Sequence, residues 1–204
     1  MCIRDRFDTE KNAASIFKKV ACITDRDPEK LNGTKFKKCY PFEYKKADTA
    51  NFKNNASALM TKYATHPNIR FFSQDEDKGK TFEYDLILFN HKSKLLITES
   101  LSNKKEIKKM MQLIDNRSLG DFLNILSKSN ENNRIKKGIK SLGTNWNEED
   151  KKKAVIASRY LNSVGKGENA LELAYALEKN FQSETPKPFN VPDYIKAAIT
   201  WICQ

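Results

Sequence analysis

Short apolar runs mark the front of this chain, and apolar residues at helical spacing mark its rear. The sharpest run is Val20-Ala21-Cys22-Ile23-Thr24-Asp25-Arg26-Asp27-Pro28, apolar and then abruptly acidic. It predicts a short buried strand over 19–25. Ahead of it, Ala13, Ile16 and Phe17 form the stripe of a short helix over 9–18. After it, residues 28–48 carry Asn32-Gly33, Pro41 and many lysines with no period, which predicts a long loop. Phe52, Ala56, Leu59, Met60 and Tyr63 then recur at helical spacing and predict a core-facing helix over 49–65, closed by Pro67. Residues 68–73 read as a second strand and 74–80 as a polar turn containing glycine. Residues 81–89 are apolar behind Thr81, a helix-capping residue type, with Glu83 in the first turn, where its charge suits the helix dipole.

Beyond residue 100 the pattern is helical: 104–115, 119–128, 148–164, 168–181 and 192–202. Asn147 with Asp150 three positions on resembles a capping box, and Pro192 suits a first helical turn. The polar stretch 129–147, rich in Asn, Lys and Gly, reads as a hinge between front and rear. The fold class expected is α/β, a parallel sheet followed by a mainly helical C-terminal region.

The 204 residues suffice for one large domain or two small ones. Lys and Arg outnumber Asp and Glu by 37 to 26, a formal charge of +11 that favours a polyanionic partner. Tyr40, Phe42, Tyr44 and Phe36 lie among Lys35, Lys37, Lys38, Lys45 and Lys46. That mixture suits nucleic-acid stacking and charge, and equally suits a loop pinned to a core by its aromatics. Four cysteines without a C-x-x-C pair argue against zinc and a disulfide framework and for a reducing, cytoplasmic setting. No apolar stretch reaches the roughly 18 residues of a membrane span. Residues 1–6 show neither strand alternation nor a helix cap, and are expected to be non-native, a scar of assembly or cloning.

Chemistry concentrates in few places. On an extended chain Asp25 and Asp27 would share a face, with Arg26 pointing away, and two converging carboxylates suit a hard cation such as Mg²⁺. The C-terminal end of a strand in an open α/β sheet is where ligands collect. Lys166, between Gly165 and Gly167 and just before a helix, could approach a phosphate closely, although no Walker A loop is present. With only His66 and His91, histidine-based metal sites and Ser-His-Asp triads fall away.

Together these stretches resemble a known family. Ile23-Thr24-Asp25-Arg26-Asp27-Pro28 is similar to the Asp-x-Asp strand end of TOPRIM domains. Thr81-x-Glu83-Tyr84-x-Leu86, Lys166-Gly167-x-x-Ala170-x-x-x-Ala174 and the ending Val191-Pro192-x-Tyr194-Ile195 resemble the OLD family (overcoming lysogenization defect), ATPase-coupled DNA nucleases of bacteria and their phages. The resemblance implies a partial TOPRIM-like domain over 7–100 and a helical nuclease part over 101–204. It implies a two-metal endonuclease using Mg²⁺ or Mn²⁺, with Asp25 and Asp27 as ligands, Glu83 supported by Thr81 at a second metal position, and Lys166 steadying the scissile phosphate. DNA is the implied substrate. ATP use and homo-oligomer formation would belong to an upstream ATPase domain. Such domains also place a catalytic glutamate on a strand before the Asp-x-Asp strand, and nothing in residues 1–19 supplies one, so an N-terminally truncated and nearly inactive nuclease is expected. A haloacid-dehalogenase-type phosphatase shares the Asp-x-Asp strand end, but Glu29 stands where Thr or Val would be expected. A glycosyltransferase and a catalytically idle nucleic-acid- or partner-binding module are the other readings.

Overall fold

The computed structural model describes residues 7–10, 18–143 and 145–204, with only the backbone at Lys166. These residues form a mixed α/β structure with five strands, all before residue 73, and eight α-helices. The helix expected over 9–18 rests on residues 11–17, which lie outside the described residues. The chain forms two compact units, Met1–Phe82 with Val191–Gln204, and Glu83–Asn190.

The first unit is built on two parallel strands, β1 (Val20–Ile23) and β5 (Ile69–Phe72), paired Val20 to Ile69 through Ile23 to Phe72. Both lie inside the strands expected from the apolar runs. Successive β5 side chains face opposite sides. Phe71 meets Tyr63 at the end of α1 (Asn55–Lys62), with ring centroids 5.1 Å apart, and Phe72 meets Trp201 of α8 (Asp193–Cys203) at 6.2 Å. The pair is therefore covered on one face by α1 and on the other by the C-terminal helix. This return of α8 to the sheet is why the units divide at Phe82 and Val191 and not at residue 100.

Residues 28–48, expected as a loop, instead contain a hairpin. β2 (Glu29–Asn32) and β3 (Lys35–Lys38) are antiparallel, and β4 (Phe52–Lys53) joins on the other side of β2 to give the order β3-β2-β4. Gly33 takes a φ of 64°, as the first position of a two-residue connection of the II′ kind requires. The helix expected over 49–65 is correspondingly shorter, because Phe52 is spent on β4. Asn54 then starts α1, its Oδ1 accepting the Ser57 N–H at 2.9 Å.

The second unit is helical: α2 (Phe82–Phe89, from Glu83 onward), α3 (Lys104–Leu113), α4 (Leu119–Leu123), α5 (Asn130–Lys140), α6 (Glu148–Leu161) and α7 (Lys166–Phe181). Helix α6 is its axis, with Ala154, Val155, Ile156, Ala157 and Tyr160 fully buried and α3, α4 and α5 packed against it. The second half of α6, buried on every side, thus runs through the middle of this core, while its first half is charged. Asn147 caps α6 through the Asp150 N–H at 2.8 Å, as expected. The hinge expected over 129–147 is mostly α5, started by Ser129, which accepts the Asn132 N–H, and anchored by buried Ile135 and Ile139. No helix among the described residues is long and apolar enough to cross a membrane.

Candidate acidic site

Past the end of β1 the Thr24 N–H still donates to Phe72 O at 3.0 Å, so Asp25 follows directly on the paired strand end. Its Oδ1 accepts the Gln74 Nε2–H at 2.8 Å and the Phe82 N–H at 3.0 Å. Phe82 is the first residue of α2, so Asp25 satisfies one of the helix's orphan amino-terminal donors across a long stretch of chain.

Asp27 is placed by different means. Its φ of 42° puts a non-glycine residue in the left-handed region, a strain of roughly 1–3 kcal/mol of the sort that surrounding structure must hold in place. The Asp27 N–H donates to Lys80 O at 3.0 Å. Strand alternation therefore does not position this carboxylate. Arg26, expected to project away, is buried and folds onto the loop after β5: its N–H donates to Gln74 Oε1 at 2.8 Å, and its Nε donates to Gln74 O at 3.0 Å.

Charge around Asp27 is unevenly compensated. Oδ2 accepts from Lys38 Nζ at 2.9 Å, whereas Oδ1 is buried and has no hydrogen-bond partner. The Lys38 ammonium is held above the usual lysine range, first by its hydrogen bond to Asp27 and then by the charges of Asp27, Asp25 and Glu29. One cation thus senses both carboxylates. Thr81 is buried between Lys80, whose carbonyl holds the Asp27 N–H, and Phe82, whose N–H holds Asp25, and Lys80 is itself buried with Nζ donating to Cys39 O at 2.7 Å.

The other expected residues lie in the second unit. Glu83 is half-buried in the first turn of α2, close enough to Tyr160 for its charge to act on the phenol. The Tyr160 hydroxyl donates to Asn169 Oδ1 at 3.2 Å, and Asn169 Nδ2 donates to Thr98 Oγ1. Lys166 opens α7 three residues before Asn169, with Gly165 as the N-cap, so this helix begins two residues earlier than expected. Glu83 and the start of α7 are thus linked through Tyr160. Gln74, which ties Asp25 to Arg26, had no signal of its own in the sequence: it is one amide in a polar turn. Among the described residues no group of three or more His, Cys, Asp or Glu side chains is arranged to hold a metal ion.

Burial pushes the Tyr160 phenol up to about 12, the Asn169 hydrogen bond opposes that rise, and the Glu83 charge adds to it. A raised phenol pKa keeps the folded state protonated where the unfolded chain, at about 10, already ionises. The resulting stabilisation, roughly 2–3 kcal/mol, is fully present below pH 10 and is lost as pH climbs towards 12. Tyr160→Phe should flatten the fall in urea stability across that window. An equally steep fall in the variant would show that Tyr160 does not carry it.

Comparison of the chain with protein-family models, with curated proteins and with solved structures gives no match.

Proposed function

We propose that Asp25 and Asp27 are the cation-binding carboxylates of a metal-dependent DNA endonuclease of the OLD-family TOPRIM type. The observation that carries this reading is Asp27 Oδ1, an anionic oxygen buried without a hydrogen-bond partner on a strained backbone. Such an atom is costly unless something positive reaches it. A position favourable to positive charge already exists there, since the Lys38 ammonium is stabilised by Asp27 and Asp25 together. The parallel β1–β5 pair with acidic residues just past the end of β1 is the arrangement that a TOPRIM-like site calls for.

The oxygen-only donor set fits Mg²⁺ or Mn²⁺. When bound, such an ion supplies activation of water and neutralisation of phosphate charge. The residues of the chain prepare for it. Gln74 and the Phe82 N–H fix the Asp25 carboxylate, the Lys80 carbonyl holds the Asp27 backbone, and Lys38 balances charge until a stronger cation arrives. Thr81, Glu83 and Lys166 enter the proposal through the family resemblance, and the Tyr160–Asn169 link gives Glu83 and the start of α7 a shared frame. The net charge of +11 suits a DNA backbone.

Mn²⁺ titration followed by electron paramagnetic resonance tests the site without requiring turnover. Asp27→Asn is expected to weaken binding about 10- to 100-fold, in the range seen when a site loses one charged or orienting group. Lys38→Met should tighten binding, because a competing cation is gone. If wild type binds Mn²⁺ no better than an Asp25→Asn, Asp27→Asn double variant, the carboxylates are structural and the idle-module reading replaces this one.

A further inference from the structure

The hairpin register sorts the lysines of β2, β3 and β4 onto two faces, and only one face is neutralised. Residues directly opposite in an antiparallel pair share a face, as do residues two apart on one strand. Glu29 stands opposite Lys38 and Lys53. On that face Lys53 pairs with Glu29 at 3.0 Å and Lys38 with Asp27 at 2.9 Å. The other face carries Lys30 directly opposite Lys37, with Asn32 opposite Lys35 one step along. All four are exposed, and among the described residues none of these three lysines is ion-paired.

Like charges placed directly across a strand pair destabilise it. The sequence nevertheless concentrates three there while neutralising the reverse face. Lys30 is steadied over the Phe52 ring, 5.7 Å from its centroid, which reduces the entropy lost on holding a partner. The aromatics that made this segment suggestive of base stacking are engaged elsewhere: Tyr40 and Phe42 are buried and stacked on each other at 4.9 Å, Lys53 covers the Phe36 ring, and half-buried Tyr44 packs edge-on to Phe52 with its hydroxyl accepting from Asn54 Nδ2 at 3.0 Å. What remains exposed is charge without a stacking platform, the footprint of backbone contact rather than base reading.

We propose that the Lys30–Lys35–Lys37 face of this hairpin is a docking surface for the phosphate backbone of duplex DNA. The hairpin joins the strand end at Pro28 and is tied to it by Lys38–Asp27 and by the Cys39 N–H donating to Pro28 O at 2.8 Å, so the docking face is carried on an anchored element, on the side opposite Lys38. The proposal rests on the DNA partner named above, but not on metal chemistry.

Fluorescence anisotropy of a labelled duplex, in EDTA and across a KCl series, tests it. Changing Lys30, Lys35 and Lys37 together to Gln should weaken binding about 10- to 100-fold and reduce the slope of log affinity against log salt by roughly 2–3. An equal charge loss on α3, with Lys105, Lys108 and Lys109 changed to Gln, should weaken binding less than about 3-fold, because it lowers the net charge without removing a hairpin contact, and such a change acts only through a screened field. Single Lys35→Gln and Lys37→Gln variants, each expected to lower the slope by about 1, carry the test if the triple variant does not fold by circular dichroism. Equal losses in the two triple variants, or no loss in the hairpin variants, overturn the proposal while leaving the DNA reading in place. So does loss of binding to phosphatidylserine vesicles alone, or aggregation with unchanged DNA affinity, which would make the lysines guards of an open sheet edge. Failure of wild type to bind duplex DNA sinks both.

Discussion

Gln74→Ala is expected to unfold the first unit at markedly lower urea than wild type, a loss of about 2–4 kcal/mol from one exchange outside any hydrophobic cluster. The carboxamide is buried and works in both directions: Oε1 accepts the Arg26 N–H at 2.8 Å, while Nε2 donates to Asp25 Oδ1 at 2.8 Å and to the Tyr194 hydroxyl at 3.3 Å. Ser73 also approaches Oε1 at 3.2 Å, but its single proton has the shorter path to Thr24 O at 2.8 Å. Truncation therefore strands the buried Arg26 N–H, at about 1–3 kcal/mol, and takes one hydrogen bond each from the Asp25 carboxylate and the Tyr194 hydroxyl. Fluorescence of Trp201 in a Trp146→Phe background reads this unit by itself, since these are the two tryptophans. Gln74→Glu separates hydrogen bonding from packing. It keeps the volume and the acceptor but sets a second carboxylate against Asp25, so its deficit should shrink as pH falls and the pair takes up a proton. A Gln74→Ala midpoint matching wild type would mean that the network adds no net stability.

How much of this site could be read from the chain depends on the length of the signals. The β1 run and its acidic ending are legible because an apolar run followed by carboxylates is a local pattern. Asp25 and Asp27 therefore stand out in the sequence, although the backbone at Asp27 does not follow strand alternation. Gln74 was not legible, because its importance comes from meeting Asp25 and Arg26 across a parallel crossover. The hairpin was hidden by its own composition: four-residue strands rich in lysine lack the β-branched residues that mark strands, and only Asn32-Gly33 hinted at the turn. Helix α5 was hidden likewise, since Ile135 and Ile139 are the only apolar residues in Asn-, Lys- and Gly-rich surroundings. Yet two residues one turn apart are enough when both are buried against α6.

The loop joining β5 to α2 carries Gln74 and Lys80 and leads into Phe82, the groups that hold Asp25 and the Asp27 backbone, and Gly79 is where it is least able to give. A Cβ at that position would stand 2.4 Å from Gln74 Cβ and 2.6 and 2.7 Å from the backbone O and N of Asp75. None of the three contacts is with a flexible side-chain end, so the turn itself must open. The Gly79 N–H is already committed to Asp75 O at 3.0 Å, and the Asp75 carboxylate holds the Asp77 and Lys78 N–H groups at 3.0 and 2.8 Å. Gly79→Ala should therefore cost about 3 kcal/mol or more, at the upper end for overpacking because backbone rather than side chain is displaced. It should also weaken Mn²⁺ binding without touching a proposed ligand, since Lys80 O holds the Asp27 N–H and the Phe82 N–H holds Asp25. Gly120→Ala in α4 is the matched control. Its Cβ would meet only Ser118 Oγ, at 3.9 Å, and the helix should gain up to about 1 kcal/mol. If Gly79→Ala left both the urea midpoint and Mn²⁺ affinity intact, this loop could not be what holds the carboxylates in place, and their positions would have to be set by β1 and the hairpin alone.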